Sequence, residues 1–321
     1  MSIKIVNDIK PEDQEMRAVF AEVMDEMASK DERVIYFDAD LMNSISMMGF
    51  SKKYPDRTFN CGIQEANMIG TAAGISAVGM IPFVHTFGCF ATRRVLDQVF
   101  VSAAYAKLNI RIIGSDPGVT AAFNGGTHMP FEDMGLMRGI PEVTVMEPTD
   151  TVMLADLLRQ TKDMYGVFYI RLSRKKADKV YENGSTFTIG KAITLREGKD
   201  VTIIATGIMV AEAMRAAEAL QKAGISARVL NIFTLKPLDT EAVVKAAKET
   251  GAIVTAENHN IINGLGSAVA EALSENFPVP LERVGIKDLF GEVGSVGFLK
   301  KRFQLTAEDI ANRAQKAISR K

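Results

Sequence analysis

The sequence predicts an α/β protein of two open domains, the first a parallel sheet covered by helices on both faces and the second a smaller α/β unit. Three patterns predict this architecture. Apolar runs of strand length, such as RVIYFDAD, NIRIIGSD and VFYIRLS, are continuous rather than alternating, as strands buried on both faces must be. Stretches of helical period lie between them, so strand and helix alternate along the chain. Residues 175–184 (KKADKVYENG) turn charged and irregular, and separate a first domain over 1–175 from a second over 186–321.

Taken in order, Met16, Phe20, Val23 and Met27 recur at helical spacing after a Pro11–Gln14 start. RVIYFDAD reads as a buried strand ending in acids, followed by a helix opening at Glu65. Strand MIPFVHT leads into one long helix from about Thr92 to Lys107. Strand NIRIIGSD, a glycine-rich loop through Gly126, strand EVTVMEP, a helix over about 151–162 and strand VFYIRLS complete the first domain. The second repeats the alternation with strands VTIIATG, ARVLNIF, AIVTAEN and LERVGI, and helices near 210–223, 240–249, 265–274 and 306–319. Ligands of parallel sheets sit beyond the carboxyl ends of the strands. Asp38–Asp40, His85–Phe90, Ser115–Asp116 and Ser173–Arg174 fall at such ends, so the chemistry is expected in the first domain.

Composition excludes several classes. A net charge of -1 offers no basic field for nucleic acid. No apolar run approaches the roughly 20 residues that span a bilayer, and the first residues are too polar for a signal peptide. Cys61 and Cys89 have neither metal nor disulfide spacing, and the three histidines are far apart, so no metal site is expected and a cytoplasmic setting is.

Glu65 is the lone acid between Asp56 and Asp97, in NCGIQEANMIGTAAGISAVGM, among small residues that let a backbone or a flat ligand approach. Desolvation there favours the protonated carboxyl, which suits acid–base work; equally, an acid in a first helical turn is stabilised by the macrodipole. Phe87 and Phe90, three apart after a strand, form either a wall for a flat ring or ordinary core. His128, on a Gly-Gly turn, can reach a substrate hydroxyl. Arg17 and Arg174 are surface charges or anchors for an anion.

Together these segments resemble the transketolase family of thiamine diphosphate enzymes. GIQEANMIGTAAGISAVG is similar to its Gly-Ile-x-Glu element, PFVHTFGCF to its aromatic pocket, and NGGTHMPFED to its Asp-Gly-x-Thr-His loop. IRLSR matches its Leu-Ser-Arg strand end and DADLMNS its Ser-Ala-Asp-Leu-x-x-Ser turn. AENHNIINGLGSAVAEAL and GEVGSVGFL are similar to its C-terminal domain. The resemblance implies a pyrimidine-binding domain over 1–175 and a transketolase C-terminal domain over 186–321. It implies that Glu65 shares a proton with the aminopyrimidine, that Phe87, Phe90 and Asp40 line the cofactor, and that His128 assists proton transfer. Arg17, Ser44, Ser115, Asn124, His128 and Arg174 would contact the sugar, the arginines and Ser44 at its anionic end.

The Gly-Asp-Gly that anchors diphosphate and Mg2+ in the family does not occur. The chain therefore resembles the C-terminal subunit of a split transketolase, completed by a second polypeptide carrying Gly-Asp-Gly…Asn in a heterotetramer. Two departures lie on the substrate side: Asn124 where the family has Asp, and Ser115 where it often has His. They point to an unusual sugar or to neutral variation. The competing readings are a β-type subunit of a 2-oxo-acid dehydrogenase or a deoxyxylulose-phosphate synthase fragment, and a non-catalytic assembly subunit.

Overall fold

The computed structural model describes residues 2–321. Among these described residues twelve strands run in chain order: β1 Val34–Asp38, β2 Thr58–Asn60, β3 Ile81–Phe87, β4 Ile110–Ser115, β5 Thr144–Met146, β6 Val167–Leu172, β7 Ile193–Arg196, β8 Val201–Ala205, β9 Ala227–Asn231, β10 Thr234–Lys236, β11 Ile253–Asn260 and β12 Leu281–Ile286. The seven-stranded sheet has the order β10-β5-β6-β4-β3-β1-β2 and the five-stranded sheet β12-β11-β8-β9-β7. Pairing is parallel except at two edges, β10 against β5 and β7 against β9. Both sheets are thus mixed but mostly parallel. The short edge strands β2, β7 and β10 escaped the sequence reading because brief edge segments lack the long apolar run that marks a central strand.

Successive residues of β1 serve opposite faces. Val34 and Tyr36 join the core that holds the Met16–Lys30 and Thr151–Asp163 helices. Ile35 and Phe37 join the core that holds the Glu65–Ala77 helix. Helices therefore cover both faces, and each fully buried Phe or Tyr contributes about 1.5–3 kcal/mol by leaving water.

The 92–107 segment departs from the expected single helix. A short helix, Gly88–Thr92, gives way to tight turns and then a wide π-type turn over Val99–Tyr105. Thr92 (φ -124°, ψ -75°) and Val95 (φ -127°, ψ 14°) break the helical backbone. Around these breaks, Arg93 reaches Glu132 at 2.8 Å and Arg94 reaches Glu65 at 2.7 Å.

The charged 175–184 stretch is a fastened strap. It bridges to the N-terminal segment at Pro11–Asp178 and Ile5–Tyr181, and one carboxylate oxygen of Asp150 accepts the amides of Val180 and Tyr181. The other oxygen of Asp150 caps the Thr151–Asp163 helix. No helix among the described residues is long and apolar enough to cross a membrane.

Candidate active site

The site follows from register. β6, β4, β3 and β1 are neighbours, and their carboxyl ends are level: Leu172 pairs with Ser115, Ser115 with Phe87, and His85 with Asp38. The residues that follow these strands therefore share one rim.

Glu65 arrives at the rim after β2 through Gly62, whose φ of +67° turns the chain back, and it opens the Glu65–Ala77 helix. Its side chain is 2% exposed. Oε1 accepts from Arg94 Nη1 at 2.7 Å and lies 3.5 Å from the Thr86 hydroxyl, whereas Oε2 has no hydrogen-bond partner among the described residues. A buried carboxylate oxygen left unpaired costs about 1–3 kcal/mol. Such an atom is free to accept from a donor outside the chain.

From Glu65 a chain of contacts links most of the other candidates. The Arg94 guanidinium lies 3.9 Å over the Phe90 ring. His128 packs edge-on against Phe90 at 5.3 Å and Phe87 at 5.7 Å, and the two phenylalanines are 6.3 Å apart. Arg174 lies 5.0 Å over Phe87 and forms a 2.5 Å ion pair with Asp116. The Asn124 amide donates to Asp116 at 3.4 Å. The Arg17 backbone amide donates to the Arg174 carbonyl, and its guanidinium donates to the Ser44 carbonyl at 3.2 Å. Asn124 suits this setting physically: an aspartate there would face the Asp116 carboxylate with no donor to offer.

Two candidates stand apart. Asp40, exposed and in the left-handed region (φ 65°), exchanges 3.1 Å hydrogen bonds with the Asn60 side chain. Ser115 is fully buried, and its hydroxyl meets His85 Nε2 at 2.9 Å. His85 Nδ1 meets Asp38 at 2.9 Å, and Asp38 also accepts from Tyr36 at 2.5 Å. Ser115 is therefore held within the sheet by His85.

Sequence reasoning missed Arg94, because a surface arginine in a helical stretch carries no signal of its partner. It also missed the ionic cluster behind the rim. Arg171, fully buried in β6, donates to Asp133 at 2.8 and 2.9 Å, to Glu147 at 2.9 Å and to the Asn258 carbonyl at 2.9 Å. Burial raises the Glu147 carboxyl, whereas Asp133, for all its burial, is held below the ordinary carboxylate value by Arg171. An arginine inside an otherwise apolar strand was the available signal. His259, on the second domain, is neutral: burial lowers its pKa to about 4. Its Nε2 accepts from the Gly135 amide at 3.2 Å while Nδ1 donates to the Asn260 carbonyl at 2.7 Å.

One face beside the site is uncovered. Ile63 (70% exposed), Val78 (78%) and Tyr105 (79%) flank a helix whose Ala66, Asn67, Thr71 and Gly74 are also exposed.

Residues 12–179 match the family described as transketolase, pyrimidine binding domain, and 190–310 match transketolase, C-terminal domain. The chain is 52% identical over 314 residues to the 6-deoxy-6-sulfo-D-fructose transketolase subunit SqwH of Clostridium sp. (strain MSTE9), covering 98% of each chain. It is 38% identical to an apulose-4-phosphate transketolase subunit of Phocaeicola vulgatus, covering 85% of this chain and 87% of that one. Among solved structures, a split gene transketolase described as an inactive beta4 tetramer superimposes with a TM-score of 0.88 at 40% identity, covering 96% and 99%.

Proposed function

The chain belongs to the transketolase family, and we propose that it is the subunit of a split, thiamine diphosphate-dependent transketolase that carries the pyrimidine-binding and C-terminal domains. In this reading it transfers a two-carbon ketol unit from an anionic ketose to an aldose, in complex with a second subunit. One observation carries the reading: Glu65, 2% exposed, keeps a free oxygen, and Arg94 links the same carboxylate at 2.7 Å to the aromatic wall of Phe90 and Phe87.

That arrangement fits an aminopyrimidine, which offers a ring nitrogen to a carboxyl and a flat face to aromatic rings. When bound, the cofactor supplies the electron sink for breaking a C–C bond beside a carbonyl. Glu65 holds and returns a proton at its free oxygen, and its burial keeps water from competing. Phe87 and Phe90 orient the ring, with Asp40 at the cofactor side. Arg94, 3.9 Å over Phe90, occupies a ring face against which the cofactor would be held. His128, against both rings, moves a proton at a sugar hydroxyl. Arg17, Ser44 and Arg174 hold the anionic end of the sugar, with Asp116 fixing Arg174 in place, and Asn124 contacts the sugar beside His128. Ser115 supports the rim from behind. The diphosphate and Mg2+ fall to the partner subunit, which covers the Ile63–Val78–Tyr105 face in a cytoplasmic heterotetramer. The domain division at about 175–186 belongs to the same reading.

The relative named for 6-deoxy-6-sulfo-D-fructose covers nearly the whole chain, so a sulfonated ketose is the first donor to test. The chain is co-expressed with a subunit carrying Gly-Asp-Gly…Asn and assayed for ketol transfer from sulfonated and phosphorylated ketoses, with pyruvate decarboxylation as the control. Ketol transfer by the pair and none by the chain alone is expected. Turnover of pyruvate without ketol transfer, or no association of the two chains, would sink the proposal.

A further inference from the structure

The loop that carries Asn124 and His128 is held by the second domain. Its neck closes where the Gly118 amide donates to the Pro130 carbonyl at 3.1 Å. Asn258, fully buried at the end of β11, reads that neck with both ends of its amide: Oδ1 accepts from the Val119 amide and Nδ2 donates to the Pro117 carbonyl, each at 2.9 Å. Gly118 sits at φ +50°, and a Cβ there would collide with Asn258 Oδ1, so the two surfaces meet with no slack. The departing strand is fixed as well, since the Asn260 amide donates to the Phe131 carbonyl at 2.7 Å. Arg171 joins the neck to β11, donating to both the Pro130 and Asn258 carbonyls. At the tip, a Cβ on Gly126 would collide with the Gly291 carbonyl oxygen, so a second segment of the same domain presses on the turn before His128. Between neck and tip the backbone is strained at Ala122 (φ 50°, ψ -117°), a conformation that persists only where its surroundings enforce it.

We propose that Asn258 is a positioning residue for the reaction: through it, the C-terminal domain clamps the 117–131 loop and sets the places of Asn124 and His128. The inference rests on the reading that these two residues face the sugar. An amide is the side chain suited to the task, because the neck presents one donor and one acceptor side by side. Aspartate satisfies only the Val119 amide, and alanine neither group.

The test combines amide hydrogen exchange on the isolated chain with kinetics of the reconstituted enzyme. In Asn258→Ala, peptides over 117–131 should lose protection by at least about tenfold while β3 and β4 keep theirs. The sugar KM should rise about tenfold or more with cofactor affinity within about twofold of the parent, and Asn258→Asp should fall between the two. Gly118→Ala attacks the same contact from the first domain and keeps the inference testable should Asn258→Ala fail to fold; it should reproduce the effect. Unchanged exchange in 117–131, loosening spread evenly over the chain, or loosening with sugar kinetics within twofold would each overturn the clamp. Full turnover by His128→Ala would instead remove the reading of the loop, while the exchange result would still decide whether the domain holds it.

Discussion

Replacing Glu65 with glutamine separates the chemistry of the site from its architecture. The substitution preserves shape and leaves an oxygen for the 2.7 Å bond from Arg94, but the new amide can neither hold nor return a proton. On stability, the bond from Arg94 stays charge-assisted because the guanidinium remains ionised, and only its ion-pair part is lost. The loss is partly recovered, because a buried negative charge no longer has to be kept from water. Arg94 is 42% exposed, so solvent screening trims the ionic contribution further, and the net change in folding stability should be no more than about 1 kcal/mol. On activity, losing a positioned acid–base group costs about 10²–10⁴-fold, or roughly 3–5 kcal/mol of barrier. Urea unfolding of the isolated chain measures the first quantity, and initial rates of ketol transfer by the reconstituted pair at saturating cofactor measure the second. Turnover within tenfold of the parent would refute the proton role of Glu65. A stability loss above about 3 kcal/mol would show instead that the acid is structural.

Arg171→Met should destabilise the fold by about 3–5 kcal/mol, because it strands the buried Asp133 and Glu147 carboxylates. Adding Asp133→Asn and Glu147→Gln should recover most of that loss in the same urea titration, and a triple variant no better than the single one would contradict the account. For His259 the folded pKa is depressed to about 4, so the unfolded chain takes up the proton first as pH falls. Its contribution is complete above about 6.5 and declines as pH drops toward 4, by roughly 3 kcal/mol over the window. Unfolding titrations between pH 4 and 7 should show a shallower acid limb in His259→Gln than in the parent. Arg174→Ala and Arg17→Ala should each raise the KM for the anionic sugar by about one to two orders of magnitude, and an unchanged KM in both would remove the anion anchor.

The central strands were legible because a strand covered on both faces is a near-continuous apolar run, and VIYFD in β1 and VFYIRL in β6 are buried along their length with one charged residue each. The grouping of Glu65, Phe90 and His128 was legible through their isolation: one acid, one aromatic pair and one loop histidine, each on a segment that follows a strand. What the sequence concealed depends on partners distant along the chain. Arg94 meets Glu65 only because Thr92 and Val95 depart from helical geometry, and a helical-period reading smooths over such breaks. Ser115 looked like a rim residue by its place at a strand end, yet it is fully buried and its hydroxyl is held by the His85 imidazole of the neighbouring strand. The 175–184 strap read as a linker because it is charged. Its order comes from backbone amides held by Asp150 and from pairing with the N-terminal segment, and composition carries no trace of either.

The placement of β10 bears on how such enzymes can be rebuilt. Thr234–Lys236 lies in the sequence of the second domain yet forms the outermost strand of the seven-stranded sheet, antiparallel to β5. It shields an edge that would otherwise offer bare amides and carbonyls to other chains. A chimaera that exchanges C-terminal domains between relatives therefore also exchanges an edge strand of the catalytic sheet. The workable unit of recombination is the second domain together with a compatible β5, and a first domain expressed without it would present a strand open to aggregation.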